Sequence, residues 1–334
     1  MKKWLVTIFG LCVSAVAIAL IVQKIEWRET ASLLASVGFR LPIVMVAIYI
    51  TTFPIRALRW RFMLPPGSLT FLESLKGVVL GFAGNNFLPA RGGEFLRMEY
   101  LHRKAPNIGR ITAISSVLVE RILDGLTLLA FMVVALKASH IAIEEHPRLS
   151  ELRFMALVVF GLACAGAIVI RIWGGWIAAV LRRTHIKPFA WAATIIERFH
   201  VAAEFLGFNS RTAAAVVAGI CVWLIEGVVY TVACWHFGLG SQSIIAGYLT
   251  LTIVSFGLLV PSSPGYIGVF QYMTILALGL FGISDEIALA LSLVVHACQY
   301  VPTTLWGVVI LLRESVVWRR NRVHTAHEAP AAPH

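Results

Sequence analysis

The chain has 334 residues, 59% of them hydrophobic and 13% charged, with a formal net charge of +11 and a mean hydropathy of +0.83. A soluble domain of this size carries about twice that charge fraction, which excludes an ordinary water-soluble enzyme. The basic residues lie between apolar runs rather than on one soluble face. That excludes a nucleic-acid-binding stripe and suits loop cations that set orientation and meet anionic headgroups.

The opening "MKKWLVTIFGLCVSAVAIALIV" has the charged end of a secretory signal. Its apolar core is longer than usual for a signal and runs into "QKIEWRE" without a small-residue cleavage site, so it reads as an uncleaved first span. Further apolar runs follow at about 41–55, 71–89, 111–136, 153–173, 212–236, 244–260, 266–282 and 287–312. A helical crossing of the roughly 30 Å hydrocarbon layer needs about 20 residues. Cys12, Cys164, Cys221, Cys234 and Cys298 all sit inside such runs with no C-x-x-C pair, and read as small core residues. The histidines have no ligand spacing, and neither a metal nor another cofactor is expected.

Orientation follows the short-loop cations. Lys2 and Lys3 place the N-terminus in the cytoplasm, as do Arg56, Arg59 and Arg61 for the loop after the second run. Arg91, Arg97, Arg103, Lys104 and Arg110 place the loop after run 71–89 on the same side. That run therefore predicts a re-entrant hairpin, with Gly77, Gly81 and Gly84 for close packing, then Asn85 and Asn86, then Pro89. Run 111–136 leads out to Glu144, Glu145 and Glu151, and run 153–173 returns to a loop with Arg171, Arg182, Arg183, Lys187, Arg198 and Arg211. Within that loop, residues near 187–208 are amphipathic and suit the cytoplasmic interface; a soluble connector helix is the alternative.

After run 212–236, the pair 244–260 and 266–282 contains no Lys or Arg, and reads as a second re-entrant hairpin entered from outside. Run 287–312 returns to Arg313, Arg319, Arg320 and Arg322, which begin a disordered cytoplasmic tail at 313–334. The expected fold is thus an all-α polytopic membrane protein with about six full spans and two re-entrant hairpins. They fall in two inverted-topology halves, 1–136 and 137–312, with both termini cytoplasmic. Paired broken segments in inverted halves meet near the bilayer midplane and form a transported substrate's site. The matching breaks are "LPARGGEF" at 88–95 and "VPSSPGYIGVF" at 260–270.

Several charges lie where lipid-embedded helix is expected. Glu120 and Asp124 share a face of run 111–136, and Arg121 can pair with Asp124. Such residues face a cavity or one another, so the set is a substrate path or an ion-pair cluster that pins helices together. Glu226 has no opposite charge in its own run, and either meets a distant Arg or is protonated by desolvation. Glu226 and His296 are therefore candidate proton-coupling positions, with helix packing as the alternative for His296. At the first break, Arg91, Glu94 and Arg97 cluster around Gly92 and Gly93 as a candidate substrate site whose arginines suit a lipid phosphate, Arg91 the first choice for contact and Arg97 the second; a cytoplasmic cap held by Arg–Glu pairs is the alternative. At the second, Pro264, Gly265, Tyr266 and Gly268 expose backbone for a substrate, and a half-helix beginning near Tyr266 presents its N-terminus to an anion.

"RALRWRFML" (56–64), "LPARGGEFLR" (88–97), "ERILDG" (120–125) and "PSSPGYIGV" (261–269) in this order resemble the transmembrane flippase-like domain of lysylphosphatidylglycerol synthases, over roughly residues 5–315. The resemblance implies movement of lipids between leaflets, such as aminoacylated phosphatidylglycerol, polyprenyl-linked glycans or hopanoids. It also implies location in a bacterial inner membrane. The chain ends soon after its last run, so the soluble aminoacyl-transferring domain and its synthase activity are expected to be absent. The family's second break reads P-G-G-x-G with a Glu three residues on; here Tyr266 stands for the second glycine and Gln271 for the acid.

The leading expectation is a lipid transporter that is not an enzyme, with membrane lipids bearing anionic or isoprenoid headgroups as its partners. Lipid-synthesising enzymes and further copies of the chain are compatible additional partners. The competing readings are a lipid-headgroup-modifying enzyme and a scaffold for envelope enzymes.

Overall fold

The computed structural model describes residues 2–88, 92–139, 147–184, 187–205 and 209–327, and every regular element among them is helical. The first half comprises α1 (Lys2–Val22), α2 (Trp27–Ser36), α3 (Arg40–Ile50), α4 (Thr52–Phe62), α5 (Phe71–Phe87), α6 (Gly93–Lys104) and α7 (Arg110–Ser139). The second comprises α8 (Pro147–Arg183), α9 (Lys187–Phe205), α10 (Ser210–His236), α11 (Ser243–Gly257), α12 (Val269–Gly279) and α13 (Asp285–His327).

Helix starts follow local chemistry. Thr70 and Glu73 form a capping box at α5, with the Glu73 carboxylate accepting the Thr70 N–H at 2.9 Å. The Asn209 side chain accepts the Thr212 N–H at 2.9 Å before α10. These contacts satisfy amide donors that a helix start otherwise leaves unpaired.

α5 and α6 pack as an antiparallel hairpin. Gly77 lies against Tyr100, Gly81 against Arg97 and Gly84 against Gly93. A Cβ on Gly93 would stand 1.9 Å from the Gly81 carbonyl oxygen, so only glycine permits this approach. α11 and α12 form the second hairpin, in contact where Gly257 faces Met273. The packing between halves is reciprocal. α5 lies on α13, α11 lies on α7, and α3 and α4 lie on α10.

The end of α5 meets α13 and the second break. Asn86, near the end of α5, donates from Nδ2 to Thr304 Oγ1 at 2.7 Å, and its carbonyl accepts the Tyr300 hydroxyl at 3.4 Å. Gly265 of the second break sits against Tyr300 and the Asn86 carbonyl, at a φ of 69°. At its far end, α13 grips the base of the same hairpin: Glu314 lies 2.7 Å from Lys76 of α5 and 3.1 Å from Lys104 of α6. α1 covers the second break from outside, where the Ser14 hydroxyl accepts the Ser263 N–H at 2.9 Å.

Among the described residues, Arg40–Phe62, Ser210–His236 and Asp285–Glu314 are long and apolar enough to cross a membrane, and a fourth crossing results if the pair bent by 94° at residues 23–26 counts as one. Two expectations change. Arg56 and Arg59 are not loop cations, because the second run continues through them as helix and buries both. α13 continues as helix to His327, through most of the stretch expected as a disordered tail. α9 lies along α8 and α7, with His200 Nδ1 2.9 Å from the Ile170 carbonyl oxygen and an Arg182–Glu197 ion pair.

Candidate functional site

Four arginines and four carboxylates converge between α4, α6, α7 and α10. Arg56 pairs with Glu226, and Arg59 pairs with Asp124. Arg97 engages both Glu120 oxygens, at 3.3 and 2.9 Å. Arg121 is spread over three acids, 3.1 Å from Glu120, 3.5 Å from Glu94 and 3.5 Å from Asp124. Four positive and four negative groups leave the set neutral. That balance is what lets charge persist in an apolar interior. Aromatic rings complete the packing: Trp60 lies 4.1 Å from the Arg97 guanidinium, and Trp223 Nε1 donates to Asp124 at 2.9 Å.

The charges are not equivalent. Arg56, Arg59, Arg97, Glu120, Asp124 and Glu226 are buried. Arg121 keeps 29% of its side chain exposed and Glu94 keeps 18%. Arg121 is also the most exposed of the four arginines, two of its three ion pairs are long at 3.5 Å, and of a guanidinium's five N–H donors it uses one in a hydrogen bond, to Glu120. Its spare donors make it the cation best able to take an incoming anion.

A cavity of about 320 Å³ adjoins this network. It is lined by Arg121, Glu94, Asp124, Arg56 and Glu226, by Asn85 and Asn86 of α5, by Tyr266 of the second break, and by His296, Gln299 and Tyr300 of α13. Leu128, Leu251, Val254, Phe256 and Leu259 make the remainder apolar. A chamber lined by both charged and aliphatic side chains suits an amphiphile.

At the second break, Gln271 caps α12. Its Oε1 accepts the Gly268 N–H at 2.8 Å, so its Nε2 is the donor to His296 Nδ1 at 2.9 Å. His296 therefore carries its proton on Nε2. It stacks on Phe270 with centroids 4.4 Å apart and also hydrogen-bonds the Gly265 backbone. The half-helix begins at Val269, after a short 3-10 turn at Pro264–Tyr266.

The structure thus brings Glu94, Arg121, Asp124, Tyr266, Glu226 and His296 to one cavity. Arg97 and Glu120 serve the interior, because each neutralises the other away from that cavity. Gly93 serves the hairpin crossing, with Gly92 immediately before its helix. Pro264, Gly265, Gly268 and Gln271 shape the second break. Arg91, the first choice for headgroup contact, lies outside the described residues. Sequence reading missed Arg56 and Arg59 as site residues. Their spacing of three places both on one helix face, opposite Glu226 and Asp124, which had lacked sufficient cations of their own.

A family model described as the lysylphosphatidylglycerol synthase TM region matches residues 7–307. The chain belongs to this family. The lysylphosphatidylglycerol synthase TM region here includes both breaks and all eight charges of the network, and the chain is accordingly a helical membrane protein. It is similar to Glycosyltransferase AglD of Haloferax volcanii, 24% identical over 342 residues that cover 92% of this chain and 54% of that protein. It is also similar to UPF0104 membrane protein PH1989 of Pyrococcus horikoshii, 29% identical over 139 residues, which is 40% of each chain. The chain thus spans about half the length of the Haloferax relative. No solved structure matches it.

Proposed function

We propose that this protein moves an amphiphilic lipid with an anionic headgroup, a phospholipid or an isoprenoid phosphate, between membrane leaflets. The observation that carries the reading is the position of Arg121. It is a partly exposed guanidinium on the wall of a cavity lined also by α5 and the second break. A headgroup phosphate displaces Glu94 from Arg121 and takes charge-assisted hydrogen bonds in its place. The chains of the lipid follow the aliphatic side chains. A cavity of about 320 Å³ accommodates a headgroup but not a whole two-chain lipid, so the tails stay in the bilayer.

The reciprocal packing of α5 on α13 and α11 on α7 supports the reading of two inverted halves. In that reading the α5–α6 and α11–α12 hairpins are re-entrant from opposite sides, and the termini face the cytoplasm. The driving force is mass action or an ion gradient. Leaflet exchange of headgroup-labelled phospholipids and isoprenoid phosphates by the purified protein in vesicles tests the proposal. Exchange of neither class would overturn it.

A headgroup-modifying enzyme is the second reading, favoured by the similarity to the Haloferax glycosyltransferase. New lipid products from purified protein, lipid and an activated donor would favour it instead.

A further inference from the structure

We propose that the ring of Tyr266 is a movable partition between two chambers, and that its displacement joins them into one passage along the second break. The use of that passage by a lipid rests on the transport reading above; the partition itself does not.

Tyr266 is the one non-glycine among the described residues with positive φ, at 61°. A side chain with a Cβ disfavours this left-handed conformation, which glycine enters freely. The same turn uses glycine at Gly265 and Gly268, with φ of 69° and 90°, so a large aromatic at its centre is held against backbone preference. The hold comes from both sides. The Tyr266 N–H donates to the Ser263 carbonyl at 3.0 Å, and Gln271 and His296 fix the flanking glycines. Strain kept in place by its surroundings directs attention to what the side chain does.

Its position gives the answer. Tyr266, Asn85 and Leu259 line both the central cavity of about 320 Å³ and a second chamber of about 160 Å³. Residues shared by two cavities lie at the boundary where the cavities adjoin. Asn85 is tied down through its Oδ1, which accepts the Gly93 N–H at 2.9 Å, whereas Tyr266 sits on a strained turn. The second chamber is walled by Leu88, Pro261, Ser262 and Ser263. Ser262 is 8% exposed and its hydroxyl has no protein partner, although buried hydroxyls nearly always find one. That hydroxyl is available to water or to a polar headgroup in transit.

The test uses the full chain in vesicles, with its five cysteines replaced by alanine and single cysteines introduced by Ser263→Cys in the second chamber and Ser255→Cys in the central one. The side from which a membrane-impermeant thiol reagent labels Ser263→Cys defines the entrance to the second chamber. From that side, Ser255→Cys should label slowly in the otherwise native protein. It should label about tenfold faster or more with Tyr266→Gly or Tyr266→Ala, as expected if the open form is a minor state of at most about 10%. Tyr266→Phe keeps the ring and should label at the native rate. Tyr266→Gly also removes the strain, so its melting temperature should rise while the partition is lost; a merely structural tyrosine would give a fall. Equal Ser255→Cys labelling in native, Gly and Ala forms would overturn the proposal, as would no labelling of Ser263→Cys from either side. The readout needs no transported lipid. Faster labelling with no exchange of any lipid leaves the partition standing and removes the transport reading. Exchange with unchanged labelling does the reverse.

Discussion

Arg97 holds Glu120 through two hydrogen bonds while its guanidinium rests 4.1 Å from the Trp60 ring. One side chain of α6 is thereby fixed to α7 by charge and to α4 by its flat face. Removing Glu120 leaves Arg97 buried without its partner, and removing Arg97 leaves Glu120 with Arg121 alone; unpairing a buried charge destabilises by about 3–5 kcal/mol. Arg97→Ala and Glu120→Ala should each lower the melting temperature of the purified protein strongly. The double variant Arg97→Met, Glu120→Leu should recover most of that loss. Additive losses in the double variant would show that the two do not act as a pair.

Gly93 and Gly161 make a matched test of the hairpin crossing. A Cβ at Gly93 would overlap the Gly81 carbonyl oxygen, whereas at Gly161 it would meet nothing within 4 Å. Gly93→Ala should prevent recovery of monodisperse protein by size-exclusion chromatography. Gly161→Ala should leave the elution profile intact and raise the melting temperature slightly, since alanine is the better helix former by about 1 kcal/mol.

Gln271 holds two partners that need different atoms, an acceptor for Gly268 N–H and a donor for His296 Nδ1. Gln271→Leu should lose both and destabilise the second break by about 1–3 kcal/mol. Gln271→Glu keeps the cap but sets an acceptor against an acceptor, unless His296 gains a proton on Nδ1. Nitrogen NMR of labelled histidine should show the Nε2–H tautomer in the native protein and an added Nδ1 proton in Gln271→Glu. A protonated Nδ1 in the native protein would contradict the arrangement.

The helical class was legible because long apolar runs are local signals. So was the grouping of Glu120, Arg121 and Asp124, which share one helix. The partners of Glu226 and Asp124 were not, because Arg56 and Arg59 come from α4, distant in sequence. Both arginines had been read as orientation signals, and a cation count cannot tell a loop arginine from one buried against a carboxylate. Arg97 shows the same limit from the other side. Its type suited a phosphate, but only packing reveals that Glu120 and Trp60 already occupy it. The substitutions at Tyr266 and Gln271 were visible as departures from the resembled pattern. Their meaning, a strained turn and a neutral cap, needed the backbone angles and hydrogen bonds.

The central claim is that Arg121 receives an anionic headgroup, and leaflet exchange compared between native protein and Arg121→Ala tests it most directly. Vesicles carrying a headgroup-labelled phospholipid or isoprenoid phosphate are assayed for loss of outer-leaflet signal, with melting temperatures confirming that both proteins are folded. Losing charge-assisted hydrogen bonds worth about 1.5–3 kcal/mol should slow exchange by about tenfold or more, with Arg121→Lys intermediate. Native-rate exchange by folded Arg121→Ala would contradict the account.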